Sequence, residues 1–228
     1  MTRLEITALL DTQHTIASDI FKGKKYAFEV LPQIHDFIVC LSKKLDMEKF
    51  DDFGNGVFIA KSAAVAPSAF IAGPCGVDED AEIRHCAFIR GNAIVGKGAV
   101  VGNSTELKNV ILFDKVQVPH YNYVGDSVLG YKSHLGAGAI TSNVKSDKTM
   151  VSITLEDDKR YNTNLKKFGA ILGDCVEVGC GTVLNPGTII GKHTNIYPLS
   201  MVRGYVAANS IYKNRDQTVE KIWKSGTY

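Results

Sequence analysis

The sequence has no excess of charge of either sign: 26 lysines and arginines against 24 aspartates and glutamates leave a formal charge of +2. That balance removes the general electrostatic reason to expect a nucleic acid or a membrane surface as partner, and leaves small anions to local clusters. No apolar run approaches the roughly 20 residues that span a bilayer. Met1 to Phe21 carry Glu5 and Asp11 within their apolar pattern, unlike a secretory signal. The five cysteines, Cys40, Cys75, Cys86, Cys175 and Cys180, are odd in number and form neither a C-x-x-C pair nor a zinc-type spacing. Reduced thiols in a cytoplasm are therefore expected, and no metal. At 228 residues the chain is long enough to build a real core without a staple.

What is abundant is a repeat. From Ile59 an aliphatic residue recurs at every sixth position, through Val65, Ile71, Val77, Ile83, Ile89, Val95, Val101 and Leu107, with Phe113 as a larger tenth member. A second block resumes the period at Leu172, Val178, Leu184, Ile190, Ile196 and Val202. Small residues recur four positions after each aliphatic, as in Ala81, Ala87, Ala93 and Ala99, and glycine follows the aliphatic at Gly96, Gly102, Gly173, Gly179 and Gly191. This pattern predicts a mainly β fold, a left-handed parallel β-helix in which three hexapeptides make one triangular coil. The aliphatics fill its axis, small residues and positive-φ glycines line the corners, and coils stack about 4.8 Å apart.

Outside the repeat the pattern changes. Residues 1–53 are read as a helical N-terminal segment, because Phe28, Leu31, Ile34, Phe37, Ile38 and Leu41 follow helical spacing between Tyr26 and Leu45. The β-helix is placed at 54–212, and residues 143–168 are read as an inserted, projecting loop with a short strand in Met150 to Leu155. A tail, 213–228, carries a predicted helix from Gln217 to Lys224.

In a strict hexad, residues 18 apart stack on one face, so Arg90 and Lys108 become neighbours in the slot after the inward aliphatic. Two cations about 5 Å apart repel unless an anion lies between them. They read either as an anion site or as a surface pair countered by Glu106. The period slips near Pro119-His120-Tyr121-Asn122-Tyr123-Val124-Gly125-Asp126, where His120 falls in the slot of Gly102 one coil below. An imidazole there is either structural or a general base for an amine or hydroxyl.

The stretch Pro119 to Asp126, followed by Leu135-Gly136-Ala137-Gly138-Ala139-Ile140-Thr141-Ser142-Asn143 and Lys167-Phe168-Gly169-Ala170-Ile171-Leu172-Gly173-Asp174, resembles a known family. It is similar to the acetyltransferase domain of the bifunctional N-acetylglucosamine-1-phosphate uridyltransferase and glucosamine-1-phosphate acetyltransferase. It is closer still to the C-terminal half of the related sugar-1-phosphate nucleotidyltransferases. The resemblance covers about residues 54–212. It implies acetyl transfer from acetyl-CoA to the amine of glucosamine 1-phosphate or galactosamine 1-phosphate, towards a UDP-N-acetyl sugar. His120 would be the general base, Arg90, Lys108, Tyr123 and Asn143 would bind the sugar phosphate and amine, and Cys180 and Lys213 would lie along the coenzyme. It also implies a homotrimer packed wall to wall.

Departures from the family are His134 in place of an asparagine and a differently built loop after Asn143, with Lys145 and Lys148 its nearby cations. The glycine-rich nucleotidyltransferase signature is missing, so no uridylyl transfer is expected. Two other readings compete. The chain is a non-catalytic partner of a nucleotidyltransferase, or a zinc hydratase of the same fold using His85 and His120, whose third histidine is absent where Tyr123, Val124 and Gly125 stand.

Overall fold

The computed structural model describes residues 3–154, 160–214 and 217–222. The hexads wind into a left-handed parallel β-helix of about 8 turns. One wall climbs through Val57–Ala60, Cys75–Val77 and Ala93–Val95 to Ala170–Leu172 and Thr188–Ile190, each strand parallel to the one below. A second wall runs from Ala64–Val65 through Val100–Asn103 and Gln117–His120 to Ser210–Asn214. The third begins at Phe70–Ile71 and Phe88–Ile89 and ends at Val183–Leu184 and Met201–Val202. The long strands Glu106–Leu112 and Tyr123–Leu129 each turn from the third wall into the first. Val95, Val101, Leu107, Leu135, Leu184 and Ile190 have no exposure, and burying each such side chain contributes about 1.5–3 kcal/mol.

The corners differ in detail from the expectation. Positive φ falls on Asp80, Cys86, Asn92, Gly98 and Ser104, one residue before the small side chain, where short polar residues and glycine tolerate the left-handed region. The glycine after the aliphatic serves a different purpose: a Cβ on Gly102 would lie 1.6 Å from the Pro119 carbonyl oxygen in the next coil.

The register also slips one coil earlier than the spacing predicts. Leu112, not Phe113, takes the axial position, pairing with Val95 below and Leu129 above. The left-handed corners at Ser104 and Asn109 are five positions apart, where the earlier ones are six apart. Phe113 instead packs edge-on against Phe21, with ring centroids 5.6 Å apart. As a result His120 stacks on Asn103, not on Gly102.

The N-terminal segment is a strap. A 3₁₀ helix, Ala27–Gln33, runs directly into an α-helix, Ile34–Ser42, and the Glu29 carboxylate accepts the Lys25 and Tyr26 N–H groups at 2.8 and 2.9 Å. Both helices pack on the first wall, whose outer column Ile94, Ile111, Val128, Ile171 and Ile189 is almost fully buried. Phe28 meets Phe168, His14 stacks on Tyr131 at 3.8 Å, and Asp174 accepts the Asp11 N–H at 2.9 Å.

The 143–168 insertion does not project. It folds back as an antiparallel hairpin of Val151–Thr154 and Arg160–Leu165, with Val151 and Ile153 fully buried. A Cβ on Gly187 would lie 2.7 Å from Val151 Cγ1, so the hairpin lies flat on the coils. Leu155, at the end of the expected strand, is outside the described residues. The predicted C-terminal helix is not formed. Gln217–Glu220 is a strand antiparallel to Ser210–Asn214, because an open sheet edge offers a hydrogen-bond ladder that outweighs weak helical propensity. Trp223 and Lys224, the end of that helix, lie outside the described residues. Among the described residues no helix is long and apolar enough to cross a membrane, and no three His, Cys, Asp or Glu side chains converge as metal ligands. His85 bonds Ser68 Oγ at 2.5 Å instead.

Candidate functional site

Two outward columns of the third wall define the site. Phe88, Glu106, Tyr123 and Ile140 are in register in successive coils, and Arg90, Lys108, Gly125 and Ser142 follow them two positions along. Arg90 and Lys108 are thus stacked, and Arg90 bonds Glu106 Oε1 at 2.7 Å. Glu106 therefore counters one cation of the pair. Lys108 is held below the ordinary lysine range, mainly by burial, with Lys167 and Arg90 pushing the same way and Asp126 opposing. Three cations surround this point. Lys167 was not foreseen, because its place depends on how the chain returns from the insertion.

Next to the cations is a fixed polar network. Asn143 Nδ2 donates to Asp126 Oδ2 at 2.5 Å and to the Tyr123 hydroxyl oxygen at 3.2 Å. Both amide protons are then engaged, and Asn143 Oδ1 is left as an acceptor. Asp126, only 5% exposed, also accepts from Asn109 Nδ2 at 3.0 Å. Burial, then Asp126 and Glu106, pushes the Tyr123 hydroxyl above its ordinary value, so it remains a donor. Gly125 makes room for this network: a Cβ there would lie 2.5 Å from the Tyr123 hydroxyl oxygen and 2.9 Å from Asn143 Nδ2.

His120 ends the second wall and Tyr123 begins the third, on either side of a corner at Tyr121, φ 51°. The imidazole is exposed. Its backbone is pinned: the N–H donates to Asn122 Oδ1 at 3.1 Å and the carbonyl accepts from Gly138 N–H at 3.0 Å. Asn122, only 2% exposed, donates Nδ2 to the Gly136 and Ala139 carbonyls at 2.8 and 3.0 Å. It is the pin of this corner, and sequence reasoning missed it; an asparagine between two tyrosines in a β-helix corner was the available signal. The Gly136 and Gly138 N–H groups bond Val178 and His120 carbonyls, so neither is free for an oxyanion. His134 bonds Glu177 at 2.9 Å on the second wall, apart from this network.

Cys180 is exposed on the same edge as His120, two coils up, about 10 Å along the axis. Lys213, half-buried in Ser210–Asn214, continues that edge. The residues form two groups: Arg90, Lys108, Tyr123 and Asn143 across the third wall, and His120, Cys180 and Lys213 along its border with the second.

The family model of the GMPPB C-terminal domain matches residues 71–208, more than half of the chain. The bifunctional protein GlmU of Methanococcus maripaludis is 28% identical over 196 residues, covering 85% of this chain and 47% of that protein. A bifunctional sugar-1-phosphate nucleotidylyltransferase/acetyltransferase of Sulfurisphaera tokodaii is 29% identical over 177 residues, covering 70% of this chain and 44% of that protein. The chain thus spans about half the length of the curated relatives it matches. A hexapeptide transferase family protein of Anaplasma phagocytophilum aligns with a TM-score of 0.42 at 14% identity, covering 74% of this chain and 82% of that one. The resemblance to the sugar-1-phosphate nucleotidyltransferase type is borne out by the family model and the two bifunctional relatives.

Proposed function

From the premise that this chain belongs to the family of the GMPPB C-terminal domain, we propose that it transfers the acetyl group of acetyl-CoA to the amine of an amino-sugar 1-phosphate, glucosamine or galactosamine. One observation carries the reading: the Asn143 amide is locked by Asp126 and Tyr123 beside the stacked Arg90 and Lys108. Cations for a phosphate and a fixed carbonyl acceptor for an N–H thus lie on one wall, matching the two ends of such a substrate.

In this reading the sugar phosphate binds Lys108 and Arg90. Asn143 Oδ1 accepts an amine proton and orients the nitrogen lone pair towards the thioester carbonyl. His120 takes the proton the nitrogen loses as the C–N bond forms and returns it to the coenzyme sulfur as the C–S bond breaks, so that the coenzyme leaves as its thiol. The coenzyme runs past Cys180 towards Lys213. The exposed Phe70 and Phe88, 5.7 Å apart on the third wall, and Met201 above them support association of that wall with a second copy, in a trimer. A stable monomer by light scattering at micromolar concentration overturns the trimer.

A thiol-release assay with acetyl-CoA and a panel of amino-sugar 1-phosphates tests the activity. Turnover with one of the phosphates and much weaker turnover with free glucosamine is expected. Equal rates with and without the phosphate refute the roles of Arg90 and Lys108. Inactivity with the whole panel favours the accessory-partner reading.

A further inference from the structure

A cavity of about 350 Å³ opens higher on the third wall, beneath the folded-back hairpin. Its cationic lining comes from three separate segments: Lys145 from the loop after Asn143, Arg160 from the hairpin, and Arg203 from the top coil. Asp147 is the carboxylate among its described lining residues. It is already occupied, accepting the Thr149 N–H at 3.0 Å and hydroxyl at 2.8 Å and pairing with Lys145 at 3.3 Å. These contacts hold Asp147 at a pKa of about 2. Among the described residues neither Arg160 nor Arg203 has a carboxylate partner within ion-pair distance.

Two guanidinium groups facing one cavity repel each other unless an anion joins them. Their planar forks match phosphate oxygens two at a time, and Ser142 and Asn185 add a hydroxyl and an amide to the same lining. The cavity is separate from the cations of the candidate site. Lys108, Gly125, Ser142, Asn185 and Arg203 form one column of successive coils, so Arg203 stands four coils above Lys108, about 19 Å along the axis. A single sugar phosphate held at Lys108 does not reach it.

We propose that this cavity is a second phosphate site, in which Arg160 and Arg203 clamp a phosphate ester or diphosphate distinct from the one at Lys108. The inference does not depend on acetyl transfer. Two ligands carry the required chemistry, the phosphates of coenzyme A and the diphosphate of a nucleotide sugar.

Calorimetric titration of the full chain with inorganic pyrophosphate, adenosine 3′,5′-bisphosphate and UDP-N-acetylglucosamine tests it. The proteins are wild type, the R160Q/R203Q variant, the single R203Q variant and a control that removes a remote exposed charge, K115Q. Pyrophosphate affinity is expected to fall about tenfold or more in R160Q/R203Q, and by a smaller factor in R203Q, with K115Q at the wild-type value. Melting temperatures identify any misfolded variant, and R203Q alone decides the outcome if the double variant does not fold. Binding should weaken with added salt, as a charge-based contact does. A parallel loss for adenosine bisphosphate assigns the site to the coenzyme; a parallel loss for the UDP sugar assigns it to a nucleotide sugar. No pyrophosphate binding to the wild type at millimolar concentration, equal affinity in the arginine variants, or an equal loss in K115Q overturns the proposal.

Discussion

Replacing Asp126 by asparagine isolates one carboxylate charge with little change of shape. Asp126 holds φ 46°, a conformation asparagine tolerates, so the corner backbone is kept. The carboxylate accepts from two amides, Asn109 at 3.0 Å and Asn143 at 2.5 Å. An asparagine oxygen satisfies one of them, and its own NH₂ then faces the other. The loss is about one hydrogen bond to a charged group, roughly 1.5–3 kcal/mol. For a chain of this size that corresponds to a fall in melting temperature of about 3–12 °C, readable by circular dichroism. Asn143, released on one side, no longer holds its carbonyl towards the amine, and kcat/KM should fall about 10- to 100-fold. The decisive measurement is a double-mutant cycle with Asn143→Ala. If Asp126 acts through Asn143, Asp126→Asn costs markedly less in that background, with a coupling of about 0.5–3 kcal/mol. An unchanged melting temperature, or additive costs, refutes the network as the device that orients Asn143.

Four further outcomes are expected. His120→Ala should lower turnover about 10²- to 10⁴-fold while leaving the melting temperature in place, because the side chain is exposed; the deficit should shrink as pH rises and hydroxide increasingly takes the place of the missing base, and an unchanged rate removes the base assignment. Lys108 is held low by burial, so its ammonium is charged below that lowered value and neutral above it. KM for the sugar phosphate should therefore rise with pH before an ordinary lysine titrates, and Lys108→Arg should abolish that rise. Over the same window the unfolded chain binds more protons, so folding stability increases with pH. Cys75 is fully buried with its thiol pushed up to about 12, so a thiol reagent should label the exposed Cys40, Cys86 and Cys180 quickly and spare Cys75 until denaturant is added. Gly102→Ala, whose methyl would lie 1.6 Å from the Pro119 carbonyl oxygen, should cost about 3 kcal/mol or more and displace the segment carrying His120; wild-type stability would show that the coils do not approach this closely.

The hexad made the β-helix legible because an axial position tolerates little besides an aliphatic side chain, and the period survives in the sequence as long as each corner uses six residues. Where a corner uses five, between Leu107 and Leu112, the arithmetic misplaces everything beyond it by one, as with Phe113 and the slot assigned to His120. The stacking of Arg90 on Lys108 was readable because it precedes the first slip. The helical spacing of the N-terminal segment was likewise visible, but not its docking site. The matching signal, the outward Ile94, Ile111, Val128, Ile171 and Ile189, is interrupted by the same slips and by the insertion.

By itself, then, the sequence determined the solenoid, its axial core and the local motif from His120 to Asp126, because these depend on neighbours along the chain or one coil away. Only the tertiary structure decided that Asn143 is locked by Asp126 and that Lys167 joins the cation cluster. It also decided that the hairpin brings Arg160 to the cavity that Arg203 lines and that Gln217–Glu220 pairs as a strand. Each of these depends on where a long excursion returns to the coil, and that is set by burial of Val151, Ile153 and Phe168 against distant surfaces, not by any local spacing.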